Sequence, residues 1–537
     1  MAISKLSLSL FMVYFLSIFC KYASLASSSF STDTICNLTP YPSFCKSISP
    51  KGQGDIHEYG RFFVGKSVSF SQSFFTFISK YLNSNSTILA LQDCYLLADL
   101  SQSFLSKTLK SINSAYTLGT SEAEKLHTLL SATLTNHDTC LNSLHETTSK
   151  PDHDLLTHLS YGTKLYSISL AIFKRGWRAN KKTERELETN YHIVWEQKLH
   201  ELTRIRGRKL LQLGAENVLV SQSVVVNPDG SGDYTKINDA VAAAPNNTDL
   251  SNGFFVIHVV GGVYEEYVSI PQYKQYLMMI GDGINQTIIT GNRSVADGWS
   301  TFSSATFAVF GQGFVAMNIT FRNTAGAIKY QAVALRSGAD SSAFYKCSFE
   351  GYQDTLYTQS LRQFYRNCDI YGTVDFIFGN AAVVLQNCNI YLRLPMRNQF
   401  NAITAQGRAD SNQNTGISIH KCKITAASDL ANSSTTTKTY LGRPWRLYSQ
   451  TVYMQSFMDS LVDAEGWVAW SGDFALDTLY YAEFDNYGPG SDTSNRVTWP
   501  GYHVINATDA VNFTVANFIL GGLWLPATGI PYSSGLL

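Results

Sequence analysis

Apolar residues recur at steps of three and four along the first part of the chain, from about residue 55 to about residue 190. The stretches STILALQDCYLLADLSQSFLSKTLKSI and EAEKLHTLLSATLTNHDTCLNSL both have this spacing. It places the apolar side chains on one face of an α-helix, and several such helices bury those faces against one another. The pattern therefore predicts an all-α helical bundle in the first part of the chain.

The pattern changes after about residue 215, where short runs of Val, Ile, Phe and Thr alternate with turn residues, as is typical of strands. Four runs share a motif built around a cysteine, and the intervals between these cysteines are 21, 20 and 34 residues. Short strands that recur at such a period, with no helices between them, predict a stacked parallel β-solenoid. The four runs are FYKCSF at 344–349, YRNCDI at 365–370, LQNCNI at 385–390 and IHKCKI at 419–424.

The two patterns predict four segments in the chain. Residues 1–27 have the layout of a secretory signal peptide, with Lys5 before an apolar run and small residues after it. The alternative, a membrane anchor, is disfavoured because the apolar run is short for a membrane span. We expect a helical domain over 28–195, a basic linker over 196–214 and an all-β domain over 215–537.

The linker contains the sequence Arg208-Lys209-Leu210-Leu211. A basic, exposed segment between two domains of an exported protein suggests that a processing protease cuts there, and an ordinary solvated hinge is the alternative. The chain as a whole has 41 Lys plus Arg and 41 Asp plus Glu. No overall field therefore draws it to nucleic acid or to an anionic membrane, and an acidic polymer has to be recognised locally.

The cysteines outside the signal segment form two groups of four. Export to an oxidising compartment favours disulfides within each group, although spacing alone does not give the connectivity. In the second group we expect Cys368 to pair with Cys388, with Cys388–Cys422 as a rival, and free thiols packed inward as a third outcome. No cysteine has zinc-ribbon spacing, so we expect no metal site. The groups are Cys36, Cys45, Cys94 and Cys140, and Cys347, Cys368, Cys388 and Cys422.

Two aspartates follow the repeat of the solenoid. Asp354 lies seven residues after Cys347, and Asp375 lies seven residues after Cys368. If the cysteines stack in register, the aspartates stack as well, about one strand spacing of 4.7–4.9 Å apart. Two carboxyls that close in a partly dry groove cannot both be charged without cost, so one should hold a proton while the other stays ionised. The pair then supplies an acid and a nucleophile.

The residues around the aspartates favour ester hydrolysis over glycoside hydrolysis, which also uses two carboxylates about 5 Å apart. Gln353 and Gln331 could donate amide hydrogen bonds to the oxyanion that forms during acyl transfer. Arg443 could bind the ionised aspartate through two hydrogen bonds and lower its pKa. Trp445 offers a stacking wall for a sugar ring.

Five segments in this order resemble the signature segments of plant pectin methylesterases. The resemblance runs from about residue 216 to the end of the chain, and the first half resembles the inhibitor-like N-terminal region of the same family. It implies a right-handed parallel β-helix for the all-β domain and a four-helix bundle for the helical domain. The segments are GGVYEEYV at 261–268, QAVALR at 331–336, GYQDTLY at 351–357, DFIFGN at 375–380 and LGRPW at 441–445.

The resemblance implies a role for each matching residue. Asp375 attacks the methyl ester of a galacturonate in pectin, and Asp354 protonates the departing methanol. The oxyanion is stabilised by Gln353 and Gln331, and the nucleophile and the sugar are held by Arg443, Trp445 and Thr301. The implied disulfides of the helical domain are Cys36–Cys45 and Cys94–Cys140. No cofactor is implied, and the implied location is the cell wall.

Two other functions stay open at this point. The solenoid could belong to another polysaccharide enzyme, a polygalacturonase or a pectate lyase, although the motifs hold no cluster of carboxylates for calcium. The helical half could also act alone as an inhibitor or binding protein, or silence the catalytic half until the linker is cut. Tyr264 and Glu266 of the first segment are as well explained by a structural role as by a functional one.

Overall fold

The computed structural model describes residues 29–84, 89–147, 152–178, 209–213 and 216–537. The predicted signal segment and Arg208 lie outside the described residues. Within the described ranges, no helix combines the length and the apolar character that crossing a membrane requires.

The first half is a helical domain with four long helices, as predicted. Their inner faces bury Leu, Ile, Phe and Ala side chains at the three- and four-residue steps seen in the sequence. The fourth helix begins at Asp152, whose carboxylate accepts hydrogen bonds from the backbone N–H groups of Asp154 and Leu155 at 2.8 and 3.2 Å. The long helices span Ile56–Ser84, Leu89–Ser114, Thr120–Thr147 and His153–Trp177, and short helices at Thr32–Cys36 and Pro42–Ile48 precede them.

Two disulfides fasten the helical domain. Cys36 is bonded to Cys45 next to the short helices, and Cys94 is bonded to Cys140 between the second and third long helices. These are the pairs that the family resemblance implies. The second bond joins two helices that pack along their length in the folded domain. It also limits how far these segments can separate in the unfolded chain, which lowers the entropy of the unfolded state and stabilises the fold.

The second half is a solenoid of three parallel sheets, as the cysteine repeat predicts. The sheet of seven strands, here called the site sheet, holds the candidate active site. Its strands are Val268–Ile270, Phe307–Val309, Leu335–Ser337, Leu356–Thr358, Val374–Gly379, Asn401–Gln406 and Thr439–Gly442.

The other two sheets complete each coil. The long sheet has twelve strands, of which only the first pair is antiparallel, and the third sheet has eight. The long sheet contains Lys209–Leu213, Glu216–Val226, Phe254–Val259, Leu277–Gly281, Val315–Met317, Ser342–Tyr345, Arg362–Arg366, Ala382–Gln386, Gly416–His420, Gln450–Met454, Tyr480–Phe484 and Tyr502–Val504. The third sheet contains Gly262–Glu265, Thr287–Gly291, Thr320–Asn323, Ser348–Glu350, Asp369–Gly372, Asn389–Leu392, Lys423–Ala426 and Phe457–Met458.

Equivalent residues of successive coils pair in register. Phe344 pairs with Tyr365, and their rings stack at a centroid distance of 4.7 Å inside the solenoid. Short helices at Ile237–Ala243, Ser428–Ala431, Ala507–Ala510 and Val515–Ile519 pack around this framework. Glu266 accepts hydrogen bonds from the backbone N–H groups of Ile237 and Asn238 at 2.9 and 3.2 Å, which caps the first of these helices. The hydroxyl of Tyr264 donates to the carbonyl of Val260 at 2.8 Å, so both residues of the first motif hold the fold.

The four cysteines of the second group stack on successive coils. The predicted Cys368–Cys388 disulfide is wrong, and the rival Cys388–Cys422 bond does not form either. All four cysteines of the second group are buried free thiols. In a parallel ladder the Cβ atoms of neighbouring rungs lie about one strand spacing of 4.7–4.9 Å apart, whereas a disulfide needs them about 3.5–4.5 Å apart with a Cβ–Sγ–Sγ–Cβ dihedral angle near 90°. Each thiol instead faces backbone carbonyls, as Cys368 faces the carbonyl of Phe344 at 3.4 Å.

Free thiols in the ladder lead to a direct test. A chain that lacks residues 1–27, denatured without reductant, should react with four equivalents of a thiol reagent, because only the helical-domain cysteines are bonded. Cys368→Ala should lower the count to three, and Cys36→Ala, as a control, should raise it to five by releasing Cys45. A count of two in the unsubstituted chain would mean that the ladder contains a disulfide.

Candidate active site

The two aspartates of the repeat lie on neighbouring strands of the site sheet. Asp354 comes just before Leu356–Thr358, and Asp375 is the second residue of Val374–Gly379. These strands pair in parallel with Leu356 opposite Ile377, an offset of 21 residues, and the N–H of Asp354 donates to the carbonyl of Val374 at 3.1 Å. Both carboxyls line one cavity of about 300 Å³. The predicted stacking of the two residues is therefore present in the fold.

The backbone is strained at both aspartates. Asp354 has φ = 62° and Asp375 has φ = 53°, in the left-handed region that costs a side chain with a Cβ about 1–2 kcal/mol. The pairing of the Asp375 strand with its next neighbour also shifts register between Val374 and Ile377. Such an irregularity re-aims one side chain without ending the sheet. The strand can therefore turn Asp375 toward the cavity while Ile377 stays in the core.

Arg443 binds Asp375 through two parallel hydrogen bonds. Its Nε lies 2.8 Å from Oδ1 and its Nη2 lies 2.6 Å from Oδ2. Arg443 follows the strand Thr439–Gly442, and its own N–H is fixed by the carbonyl of Thr404 at 3.0 Å. The ring of Trp470 lies over the guanidinium, 4.3 Å from its carbon. This arrangement locks the Asp375 side chain and keeps a positive charge beside it.

The surroundings separate the two carboxyls electrostatically. Burial raises the pKa of Asp354 well above its ordinary value, and the charges of Asp375 and Glu146 raise it further. Burial also raises the pKa of Asp375, but the hydrogen bonds and charge of Arg443 act in the opposite direction. Burial thus raises the pKa of both carboxyls, while Arg443 favours the ionised form chiefly at Asp375, which makes Asp354 the better candidate to hold a proton.

Gln331 and Gln353 stack on neighbouring coils, and Gln353 stands directly before Asp354 in the chain. The two residues form a parallel bridge, and the N–H of Ala332 donates to the carbonyl of Gln353 at 3.2 Å. Both line the cavity. In the described part of the chain, neither side-chain amide has a hydrogen-bond partner, so both are available to a bound group rather than tied to each other in an amide ladder.

Aromatic rings form the walls of the cavity. Trp445 packs edge to face against Phe378 at a centroid distance of 6.0 Å, and Phe378 stacks on Tyr357 at 4.2 Å. Gly407 leaves room for the indole, because a Cβ there would lie 2.7 Å from the Trp445 ring. The rings give the cavity apolar faces of the kind on which a sugar ring packs.

All seven residues singled out in the sequence line this one cavity: Thr301, Gln331, Gln353, Asp354, Asp375, Arg443 and Trp445. The sequence analysis missed the aromatic residues Phe302, Tyr357, Phe378 and Trp470. Tyr357 and Phe378 could have been predicted from the repeat, because each stands three residues after an active-site aspartate. Phe302 and Trp470 lie in connecting segments without periodicity.

The helical domain also contributes to the cavity. The helix Thr120–Thr147 supplies Thr139, Asn142, Ser143 and Glu146. The Glu146 carboxylate accepts hydrogen bonds from the N–H of Thr301 at 2.7 Å and from its hydroxyl at 3.1 Å. A residue predicted to contact substrate is therefore bonded to the other domain, which nothing in the sequence pattern indicated.

Comparisons with known proteins agree with this geometry. The family model described as Pectinesterase matches residues 223–522, and the model described as plant invertase/pectin methylesterase inhibitor matches residues 31–172. The two matches fall on the solenoid and on the helical domain, respectively. They favour neither a polygalacturonase or lyase nor a protein that acts only as an inhibitor.

Similar proteins cover both halves of the chain. "Probable pectinesterase/pectinesterase inhibitor 20" of Arabidopsis thaliana is 54% identical over 535 residues, covering 94% of each chain. "Pectinesterase 2" of Citrus sinensis is 49% identical over 448 residues, covering 83% of this chain and 82% of its own. The solved pectin methylesterase from carrot is 53% identical with a TM-score of 0.57, covering 61% of this chain and all of its own. The chain belongs to the pectinesterase family, the carboxylic ester hydrolases that remove methyl esters from pectin.

Proposed function

We propose that this pectinesterase uses Asp375 as its nucleophile and Asp354 as its acid and base. The observation that carries the proposal is the two-point bond from Arg443 to Asp375 beside a carboxyl that keeps its proton. The ionised Asp375 attacks the carbonyl carbon of a galacturonate methyl ester. The resulting oxyanion accepts hydrogen bonds from the amides of Gln353 and Gln331.

The tetrahedral intermediate collapses when the carbon–methoxy bond breaks and Asp354 gives its proton to the leaving oxygen, which releases methanol. The sugar is then joined to Asp375 as an acyl-enzyme anhydride. Asp354, now ionised, takes a proton from a water molecule that attacks the same carbonyl, and the anhydride bond breaks. Asp375 returns as a carboxylate, Asp354 regains its proton, and the product is a free galacturonate. Thr301, Trp445 and the other rings hold the sugar during both steps.

We propose a secreted protein that acts on methyl-esterified homogalacturonan in the cell wall. The signal-like segment 1–27 and the pectin substrate of the family support that location. The proposed arrangement is a helical pro-domain over 28–195, a basic linker over 196–214 that a processing protease cuts, and the catalytic domain over 215–537. No cofactor takes part in the proposed reaction, and water is the second substrate.

The nucleophile is tested by substitution. Asp375→Ala should lower kcat for methanol release from esterified pectin by about a thousandfold or more, because no other group can form the acyl-enzyme. Asp369→Asn, on the outward-facing third sheet of the same coil, is the matched control and should leave kcat near that of the parent. Normal turnover in Asp375→Ala would rule out the mechanism.

We propose further that the helical domain inhibits the catalytic domain in the uncut chain. A pectin polymer needs a groove open at both ends, whereas the helix Thr120–Thr147 forms one wall of the cavity and Glu146 occupies the hydrogen bonds of Thr301. The same helix is held on the solenoid along a stripe of polar side chains. Its contacts include His127 with the carbonyl of Asn412 at 2.8 Å, Thr135 with Asn380 at 2.8 Å, Asn136 with Gln359 at 3.0 Å and Asp138 with Arg446 at 3.0 Å.

The ion pair between Asp138 and Arg446 offers a test of inhibition. In a chain kept in one piece by Arg208→Ala and Lys209→Ala, methanol release should be low. Adding Asp138→Arg should raise it about tenfold or more, because two positive charges then repel across the domain contact. The swap Asp138→Arg with Arg446→Asp should lower it again, and Asp154→Arg on an exposed helix end is the control. Equal activity in all four proteins would exclude inhibition by this contact.

Buried carboxyls in the same contact predict a pH dependence. Asp93 accepts hydrogen bonds from the hydroxyls of Ser300 and Ser303, and burial raises its pKa despite these bonds and the charge of Arg336. Burial and the charge of Asp93 raise the pKa of Glu146 as well, against the hydrogen bonds from Thr301. A carboxyl whose pKa is raised in the closed chain favours closure below its ordinary pKa, and this stability is lost as the pH rises through the raised value.

The uncut chain should therefore open as the pH rises above the ordinary range of carboxyls. The measurement is the ratio of methanol release by the uncut chain to that by its Asp138→Arg variant, which cancels the pH dependence of the chemistry itself. Asp93→Asn should flatten the rise of this ratio with pH, while Asp154→Asn, an exposed carboxyl of the same domain, should not. A ratio that falls with rising pH would contradict the assignment.

A further inference from the structure

A second cavity of about 300 Å³ lies between the helical domain and the solenoid, and it shares no lining residue with the cavity that contains Asp354. The helical domain contributes Glu124, Thr128, Lys174 and Arg178. The solenoid contributes Arg362, Arg408, five polar side chains, and the apolar and aromatic residues described below. The mechanism proposed for ester hydrolysis uses none of these residues.

Two cations in this cavity have only neutral partners. Lys174 donates to the carbonyl of Ser411 at 3.3 Å, and Arg408 donates to that same carbonyl at 2.7 Å and to the side-chain oxygen of Gln450 at 2.7 Å. In the residues that the structure describes, neither cation has a carboxylate within ion-pair distance. Two positive charges that share one carbonyl oxygen repel each other, which an anion between them would relieve.

The other charges around the pair are already engaged or lie outside it. Glu124 pairs with Arg178 at 2.6 Å, and Arg362 pairs with Asp340 at 2.7 Å. Asp410, close to both cations, accepts hydrogen bonds from Ser167 and Asn412. Asp509 lines the cavity from an exposed position on a short helix. Among the described residues, the positive charge that is left without a carboxylate partner belongs to Lys174 and Arg408.

Two further observations support a ligand site. Within the described residues, the Nε of Arg408 and the side-chain oxygen of Asn414 are buried without a hydrogen-bond partner, which is costly in a folded protein. Burial, followed by the charge of Arg408, lowers the pKa of Lys174 to about 8, and burial lowers that of Arg408 to about 10. Both shifts mean that the surroundings disfavour these positive charges, and a bound anion would offset that cost.

Another part of the cavity lining is aromatic. Tyr480 stacks on Phe513 at a centroid distance of 5.7 Å, and Phe513 contacts Phe518 at 5.6 Å. Leu520 extends the apolar surface. A cavity lined by both cations and aromatic rings suits a ligand that has a carboxylate and a C–H face, which describes a sugar acid. Inorganic anions would use the cations but not the rings.

We propose that this cavity binds a galacturonate residue of de-esterified pectin, with its carboxylate between Lys174 and Arg408 and its ring against Tyr480 and Phe513. The site is separate from the one that cleaves the ester, so the proposal goes beyond the proposed mechanism. Because both domains line the cavity, a bound uronate stabilises their contact. The product of the reaction would thus favour the closed form of the uncut chain.

The test measures binding of trigalacturonate to the uncut full-length chain by calorimetry, with the corresponding neutral galactose trimer and inorganic phosphate as comparison ligands. Trigalacturonate is not a substrate, so the result does not depend on the mechanism of ester hydrolysis. Lys174→Gln should weaken its binding about tenfold or more through loss of one charge-assisted contact. Lys164→Gln, on the same helix and also without a carboxylate partner, is the matched control and should bind like the parent.

A second variant keeps the test informative if Lys174→Gln does not fold. Gln450→Glu supplies Arg408 with a carboxylate at a position it already contacts, so it should preserve or raise the thermal midpoint while it also weakens trigalacturonate binding about tenfold. Lys174→Gln should weaken trigalacturonate binding by the same factor in a Trp445→Ala background, because the two cavities share no lining residue. Equal binding of the neutral trimer, preference for phosphate over trigalacturonate, or unchanged affinity in both Lys174→Gln and Gln450→Glu would overturn the proposal.

Discussion

Parallel hydrogen bonding between successive coils fixes where each side chain of the solenoid lies, since an inner strand is held from both sides. It puts Gln353 on Gln331, Phe378 on Tyr357 and Asp375 next to Asp354, all from repeats of about 21 residues. A slip of one residue would turn these side chains to the opposite face of their strands and separate them. The candidate site therefore depends on backbone pairing before it depends on any property of its own side chains.

The same pairing brings the carboxyl groups of Asp354 and Asp375 close together, so that their negative charges would repel. Two unit charges one strand spacing apart repel by about 3 kcal/mol at an effective dielectric constant of about 20. Arg443 offsets this repulsion chiefly at Asp375, because both of its hydrogen bonds go to that carboxylate, whereas it acts on Asp354 only through its charge. Among the described residues Asp354 has no ion-pair partner, so its protonated form is favoured. In the proposed mechanism the two identical side chains take different roles because the cation comes from a different coil, which a repeat by itself could not provide.

The sequence predicted those features that repeat. The intervals between cysteines predicted the length of one coil, and that length predicted that Asp354 and Asp375 stack. Both predictions were possible because the repeat period can be read directly from the sequence. Trp470, Phe302 and Glu146 were not predicted, since they reach the cavity from connecting segments and from another domain. The disulfide Cys368–Cys388 was predicted wrongly, because in-register stacking on adjacent rungs holds the Cβ atoms about one strand spacing apart, which is wider than a disulfide spans. The chemistry of guanidinium and carboxylate supplied a role for Arg443, and the family resemblance supplied one for Thr301, which periodicity could not.

The helix Thr120–Thr147 buries a stripe of polar residues as well as its apolar face. His127, Ser131, Thr135 and Asn136 are buried although they are polar, and each side chain has a hydrogen-bond partner across the domain contact. Burying such a stripe has little net cost only while the solenoid supplies partners, and water supplies them again when the domains separate. The contact is not polar throughout, because one buried apolar cluster includes Leu130 and Leu134 of the helical domain and Phe302 of the solenoid. In the proposed inhibition, the apolar cluster therefore holds the domains together, while the polar stripe fixes how the helix lies on the solenoid and adds little to the cost of separation.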